Sequence, residues 1–197
     1  FTEQRRQLAS EPAQPSDAFG PQRYGGIVLC GGRSRRMGCD KTWLRFGTET
    51  MLQRVVRLLA RAVNDLVVVA GLDQQLPPLD GAVRLLRDRR PELGPLEGIA
   101  VGLAALAEAE LHADGSHSSR QGTAGAAQRS DIGGSGAPVP IRLVSVAGCD
   151  MPLLRPALVQ RMLEWAADCD LLIPTIDGRY EPLAAVYSVD VLPQIEK

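Results

Sequence analysis

The sequence is short of the residues on which several binding classes depend. It has 2 histidines, His112 and His117, and both fall at the start of a Gly-, Ser-, Ala- and Gln-rich stretch, so neither is read as a ligand or a base. Its 4 cysteines, Cys30, Cys39, Cys149 and Cys169, are scattered without a C-x-x-C pair. That argues against a disulfide framework or a zinc knuckle and suits a reducing cytoplasm. Neither sign of charge dominates, with 22 Lys+Arg against 23 Asp+Glu. A nucleic-acid coat or a membrane-surface binder would be more lopsided. No apolar run approaches the ~20 residues that a membrane-spanning helix needs. Residues 1–22 are polar, contain Pro12, Pro15 and Pro21, and lack the apolar centre of a signal peptide. They read as a disordered leader or a start-site artefact. What is left, residues 23–197, is long enough for one domain with a sizeable core, and its function has to come from a local site.

The most informative stretch is YGGIVLCGGRSRRMGCDK, from Tyr24 to Lys41. A short apolar run, Gly25 to Cys30, predicts a buried strand. It breaks into Gly31-Gly32, carries Arg33, Arg35 and Arg36, and ends at Gly38 and Lys41. A strand that stops at a glycine-rich cationic turn can hold a phosphorylated ligand. The spacing fits neither a Walker A loop nor a G-x-G-x-x-G dinucleotide fingerprint. Trp43 to Gly47 reads as a short extended piece closing on a turn. Met51, Leu52, Val55, Val56, Leu58, Leu59 and Ala62 recur at helical period behind Thr50, a suitable N-cap. Leu66 to Ala70 is a continuous β-branched run, as in a strand buried on both faces. Val83 to Leu86 predicts a third strand, followed by a long loop, Arg87 to Gly98, and an Ala/Leu-rich helix over Ile99 to Glu110. Residues 112–137 have one large apolar residue, Ile132, and read as a disordered insertion. Ile141 to Ala147 predicts a further strand, and Arg155 to Ala167 a helix with Leu158, Met162 and Trp165 on one face. Asp170 to Thr175 and Leu183 to Tyr187 read as strands. Alternating strands and helices imply an α/β, three-layer domain with a mainly parallel sheet.

In such a sheet, ligands sit beyond the carboxyl ends of the strands. Three predicted strand ends carry unusual residues: Leu29-Cys30-Gly31-Gly32, Arg87-Asp88 and Cys149-Asp150. Asp150 suits a Mg2+ ion held against phosphate oxygens, or alternatively a turn or N-cap before Pro152. Asp88 suits the same site, or an ion pair with its neighbours Arg87, Arg89 and Arg90. Gly94, Pro95 and Leu96 open a helix, whose N-terminus favours an anion; a plain turn is the other reading. Cys30 and Cys149 read as small buried residues.

Taken together, LCGGRSRRMGCDK (Leu29 to Lys41), RDRRPELGPLEGIAVGL (Arg87 to Leu103) and AGCDMPLL (Ala147 to Leu154) resemble, in order, three blocks of the molybdenum cofactor guanylyltransferases. The resemblance covers about Tyr24 to Leu106 and Ile141 to Tyr187. It implies a Rossmann-like nucleotidyltransferase fold and Mg2+-dependent transfer of GMP from GTP to a molybdopterin-type cofactor; the alternatives are a cytidylyltransferase or sugar-phosphate nucleotidyltransferase of the same fold, or a non-catalytic nucleotide-binding protein. It also implies that the backbone of Leu29, Cys30, Gly31 and Gly32 cradles the nucleotide. Lys41 and Arg36 would neutralise phosphates, Asp88, Gly94, Pro95 and Leu96 would line the nucleotide, and Asp150 would hold the metal. Gly178 to Leu183 resembles the stretch bordering the acceptor, which points to Arg179, Tyr180 and Pro182. Three departures stand out, one of them Ala70-Gly71 after the second strand, where some relatives place an Asn near the nucleotide. Cys30 replaces the usual Ala, and the C-terminal block with an Asn is not in the sequence, so a C-terminal piece is expected to be missing.

Overall fold

The computed structural model describes residues 22–30, 40–79, 83–88, 90, 93–111 and 139–196. Its first strand, β1 (Arg23–Leu29), is the buried run at the head of the glycine-rich stretch. After Lys41–Trp43, a single tight turn, comes a small hairpin of β2 (Arg45–Phe46) and β3 (Glu49–Thr50). Helix α1 (Met51–Leu59) starts at Thr50, whose hydroxyl accepts from Gln53 N while the Gln53 side chain accepts from Thr50 N. That reciprocal capping box explains why the helix begins where the hydrophobic period changes. β4 (Asp65–Ala70) and β5 (Arg84–Arg87) follow, with no helix between them among the described residues.

Helix α2 (Pro95–Leu111) begins four residues earlier than the Ala/Leu pattern suggests. Proline fixes φ near the helical value and lacks an N–H that the first turn would leave unpaired, so Pro95 opens the helix. β6 (Ile141–Gly148), α3 (Pro156–Trp165), β7 (Leu171–Leu172), the hairpin β8 (Thr175–Ile176) with β9 (Arg179–Tyr180), β10 (Val186–Ser188) and α4 (Leu192–Ile195) complete the order. The apolar segment after Asp170 pairs over two residues only. That beginning at Leu183 opens with a helical turn, Pro182–Ala184, before the strand proper.

The central sheet runs β5-β4-β1-β6-β10-β7. β5, β4, β1 and β6 are parallel, and β10 lies antiparallel to both β6 and β7. The two faces of β1 divide the core. Val28 and Cys30 pack with α1 and α3 through Leu52, Val55, Leu59, Val159, Met162 and Leu163. Ile27 and Leu29 pack with α2 through Ile99, Leu103 and Leu106. This is the three-layer arrangement expected of alternating strands and helices.

On α3 the buried stripe is Val159, Met162, Leu163 and Ala166. Leu158 and Trp165 are more than half exposed, so of the three residues expected on one face only Met162 reaches the core. Arg161 lies over the Trp165 ring at 5.3 Å and keeps that ring at the surface.

Helix α2 is antiparallel to β1, and the contacts read as a ladder. Gly98 lies against Leu29, Gly102 against Ile27, and Leu106 against Gly25. Four helical residues rise about 6 Å and two strand residues about 6.6 Å, so the two patterns stay in step. A Cβ on Gly102 would lie 2.5 Å from Ile27 Cδ1, so only glycine lets the helix approach this closely. The ladder fixes the N-terminus of α2 at the carboxyl edge of the sheet. No helix among the described residues is long and apolar enough to cross a membrane.

Candidate active site

Three of the four parallel strands, β1, β6 and β5, carry their pairing one residue past their ends. Cys30 N donates to Val69 O at 2.8 Å, Cys149 N to Leu29 O at 2.9 Å, and Asp88 N to Ala70 O at 2.9 Å. These bonds bring the end of β1, the end of β5 and the end of β6 to one edge. Sheet topology therefore gathers residues that are remote in sequence.

The main polar contact at this edge joins the first and third sequence blocks. Lys41 Nζ donates to Asp150 Oδ2 at 2.7 Å, with side chains 35% and 44% exposed. The hydrogen bond that Lys41 donates to Asp150, and the negative charge of that acid, raise the Lys41 pKa above its ordinary value, so the lysine stays cationic. Gly148 makes room for the acid, because a Cβ there would sit 2.8 Å from Asp150 Oδ1.

Lys41 is held from both sides in sequence. Asp40 Oδ1 accepts from Thr42 N at 2.9 Å and from Thr42 Oγ1 at 2.7 Å, and Thr42 is fully buried. Asp40 also accepts from Gln74 Nε2 at 2.8 Å, and the same amide nitrogen reaches Cys30 O at 3.2 Å.

Asp88 lies under the first turn of α2, with Oδ1 within 3.3 Å of where a Gly98 Cβ would be. That oxygen is buried without a hydrogen-bond partner among the described residues. Burial, followed by the nearby Glu97, pushes its carboxyl pKa up. A buried acceptor without a donor is costly in the absence of a ligand, which makes Asp88 a place for a ligand hydroxyl or N–H to bind. Asp88 makes no ion pair with Arg87, whose Nη1 instead donates to Gly71 O at 2.8 Å and Gln74 O at 2.7 Å. Gly94, at φ +72, and Pro95 turn the chain into α2, leaving Leu93 and Leu96 exposed beside the edge.

Cys30 and Cys149 are buried neighbours across β1 and β6, since Leu29 is in register with Gly148. The hydrogen bond to Cys149 and burial drive the Cys30 thiol far up, so it is inert as a nucleophile at neutral pH. Among the described residues, no group of three His, Cys, Asp or Glu could hold a metal. Asp150 nevertheless fits Mg2+, which takes hard oxygens and commonly uses one or two carboxylates together with substrate phosphates and water.

Of the expected site residues, Leu29, Cys30, Lys41, Asp88, Gly94, Pro95, Leu96 and Asp150 lie around this edge. Gly31, Gly32 and Arg36 fall outside the described residues. Arg179 and Tyr180 form β9, in a hairpin closed by Asp177 and Gly178, both with positive φ. No described hydrogen bond or ion pair links Arg179, Tyr180 or Pro182 to Lys41, Asp88 or Asp150; the Pro182 carbonyl accepts from Tyr187 Oη at 3.0 Å. Because β7 runs parallel to β6, the hairpin that follows it leaves the sheet at the same carboxyl edge. Sequence reasoning missed Asp40, Thr42, Gln74 and the clamp made by Arg87. Asp40 was legible only as part of the CDK string, and Gln74 stands in a loop with no periodic signal.

The chain matches the family model of the MobA-like NTP transferase domain over residues 26–197. A probable molybdenum cofactor guanylyltransferase of Mycobacterium tuberculosis is 34% identical over 175 residues, covering 87% of this chain and 71% of that protein. Among solved structures, Rv0371c of Mycobacterium tuberculosis superposes with TM-score 0.60 at 18% identity, over 91% of this chain and 78% of that one. Molybdopterin-guanine dinucleotide biosynthesis protein A of Archaeoglobus fulgidus superposes with TM-score 0.56 at 20% identity, over 87% and 71%. The structural likenesses carry the fold.

Proposed function

Because the chain belongs to the MobA-like NTP transferase family, and is thereby a nucleotidyltransferase, we propose that it transfers GMP from GTP to the terminal phosphate of a molybdopterin-type cofactor. An acceptor phosphate oxygen forms the new bond to the α-phosphorus while the bond to the β-phosphate oxygen breaks. Pyrophosphate leaves, and the product is the guanine dinucleotide cofactor. The observation that supports this most directly is the 2.7 Å contact between Lys41 and Asp150, one residue from each of two motif blocks, at the edge where the strands end.

The chemistry asks for positioning and charge neutralisation, with no covalent enzyme intermediate. Lys41, with Arg36, offsets the negative charge that gathers on the phosphates. Asp150 would hold Mg2+, which when bound would supply positive charge to the phosphates. The backbone at Leu29, Cys30, Gly31 and Gly32 cradles the nucleotide, and Asp88 accepts from it. Gly94, Pro95 and Leu96 border it at the start of α2, whose N-terminal dipole favours phosphate. Arg179, Tyr180 and Pro182 flank the acceptor.

Isothermal titration with GTP and with CTP, each with Mg2+, tests the nucleotide. GTP is expected to bind at least about 10-fold more tightly, and a preference for CTP refutes the guanine assignment. In a reconstituted assay with molybdopterin, Asp150→Ala is expected to lower turnover by about 10-fold or more, the scale of a lost contact to a charged group. Unchanged turnover would remove Asp150 from the mechanism.

A further inference from the structure

Gln74 belongs to none of the motif blocks, yet its amide is the junction of the site. It follows β4 in a turn, and the turn is fixed by Arg87 at the end of β5 through the carbonyls of Gly71 and Gln74. Gln74 Oε1 accepts from Gly71 N at 3.1 Å. Its Nε2 donates to Cys30 O at 3.2 Å and to Asp40 Oδ2 at 2.8 Å. Both amide hydrogens are thus used, one at each of two positions ten residues apart in the chain.

The Asp40 end is the more consequential. Its carboxylate holds Thr42 with the oxygen that Gln74 does not use, and Lys41 stands between the two. Burial opposes ionisation of Asp40, but the hydrogen bonds from Thr42 and Gln74 prevail and hold its carboxyl below the usual range. The acid is therefore a charged acceptor, and charge-assisted bonds of this kind are the stronger ones.

We propose that Gln74 is a positioning residue for nucleotidyl transfer, setting the placement of Lys41 by bonding Cys30 and Asp40 with one amide. The proposal rests on the reading of Lys41 as a phosphate-neutralising residue. Arg87 acts one step further back, by orienting the turn that presents Gln74. A purely structural amide would affect stability and leave the kinetics alone.

A double-mutant cycle separates the two roles. Gln74→Leu is expected to lower kcat/KM for GTP about 10-fold, and Lys41→Ala to lower it by at least as much. The chain carrying both changes is expected to be no worse than Lys41→Ala alone, because Gln74 acts through Lys41. Additive losses, or full activity in Gln74→Leu, overturn the proposal while leaving the function reading intact.

Gln74→Glu supplies a readout that a structural role does not move. The new acid faces the Asp40 carboxylate and the Cys30 carbonyl, so its deficit relative to the unchanged protein is expected to shrink from about pH 8 to about pH 6. Protonation there restores a donor. A deficit that is flat with pH counts against the proposal. If instead the unchanged protein turns over no GTP and Lys41→Ala binds it normally, the function reading fails. The positioning role is then decided by the crystal structure of Gln74→Leu. A Lys41 still bonded to Asp150 refutes it, and a displaced Lys41 sustains it.

Discussion

Lys41 and Asp150 are 109 positions apart, and their contact says more about ligand binding than about stability. Both side chains are over a third exposed, and such pairs contribute only about 0–1 kcal/mol. A cation and an anion kept at a wet edge are instead available to phosphate and metal. The thiols of Cys30 and Cys149 show the opposite case: both are buried, and the hydrogen bond between them pushes Cys30 up and Cys149 down, so burial is what shields Cys149, while Cys169 is exposed. Under native conditions iodoacetamide is therefore expected to modify Cys169 at least about 10-fold faster than Cys30 or Cys149, with the difference erased in denaturant. Peptide mass mapping over time checks this, and equal native rates would mean that the ends of β1 and β6 open readily. The small, buried character of Cys30 and Cys149 was legible in the sequence from their place at strand ends. Their mutual contact was not, because it depends on the register of β1 against β6.

Among the elements, the pairing of α2 with β1 carries the sharpest packing constraint. Overpacking against Ile27 costs about 1–3 kcal/mol and alanine adds roughly 1 kcal/mol of helix propensity, so Gly102→Ala is expected to destabilise the protein by up to about 2 kcal/mol. Chemical denaturation measures it. Combining Gly102→Ala with Ile27→Ala should cost less than the sum of the separate changes, because the same space is being contested. Elements that announce themselves locally were readable from sequence. Thr50 marks the start of α1, and the β-branched run marks β4. Elements fixed by neighbours were less so. Leu158 and Trp165 have the right spacing for a core stripe, and only the placement of α3 against α1 and β6 selects Val159 and Leu163 in their stead. The order β10 before β7 in the sheet leaves no trace in composition.

At the scale of the whole molecule, the site is held at some cost to the fold, and Asp88 is where this can be measured. Its folded carboxyl titrates above the unfolded one, because burial and Glu97 both disfavour the charge. Between those two values the folded state holds the extra proton, so stability falls as pH rises through that window. Asp88→Asn removes the charge and is expected to raise Tm near pH 7.5, with the gain shrinking toward pH 4.5 at about the ordinary carboxylate range. The same change is expected to weaken GTP binding, and thermal scans with and without nucleotide separate the two effects. A Tm that drops at both pH values would mean that the carboxylate supports the fold. The direction of α2 has a practical side as well. The helix carries the chain away from the chemistry, so Leu111 and Ile141 both stand at the amino edge of the sheet. Each doubling of the link between them costs only about 0.6 kcal/mol of closure entropy. A fluorescent reporter or an affinity handle inserted between Leu111 and Ile141 would be anchored at both ends on the edge opposite the chemistry.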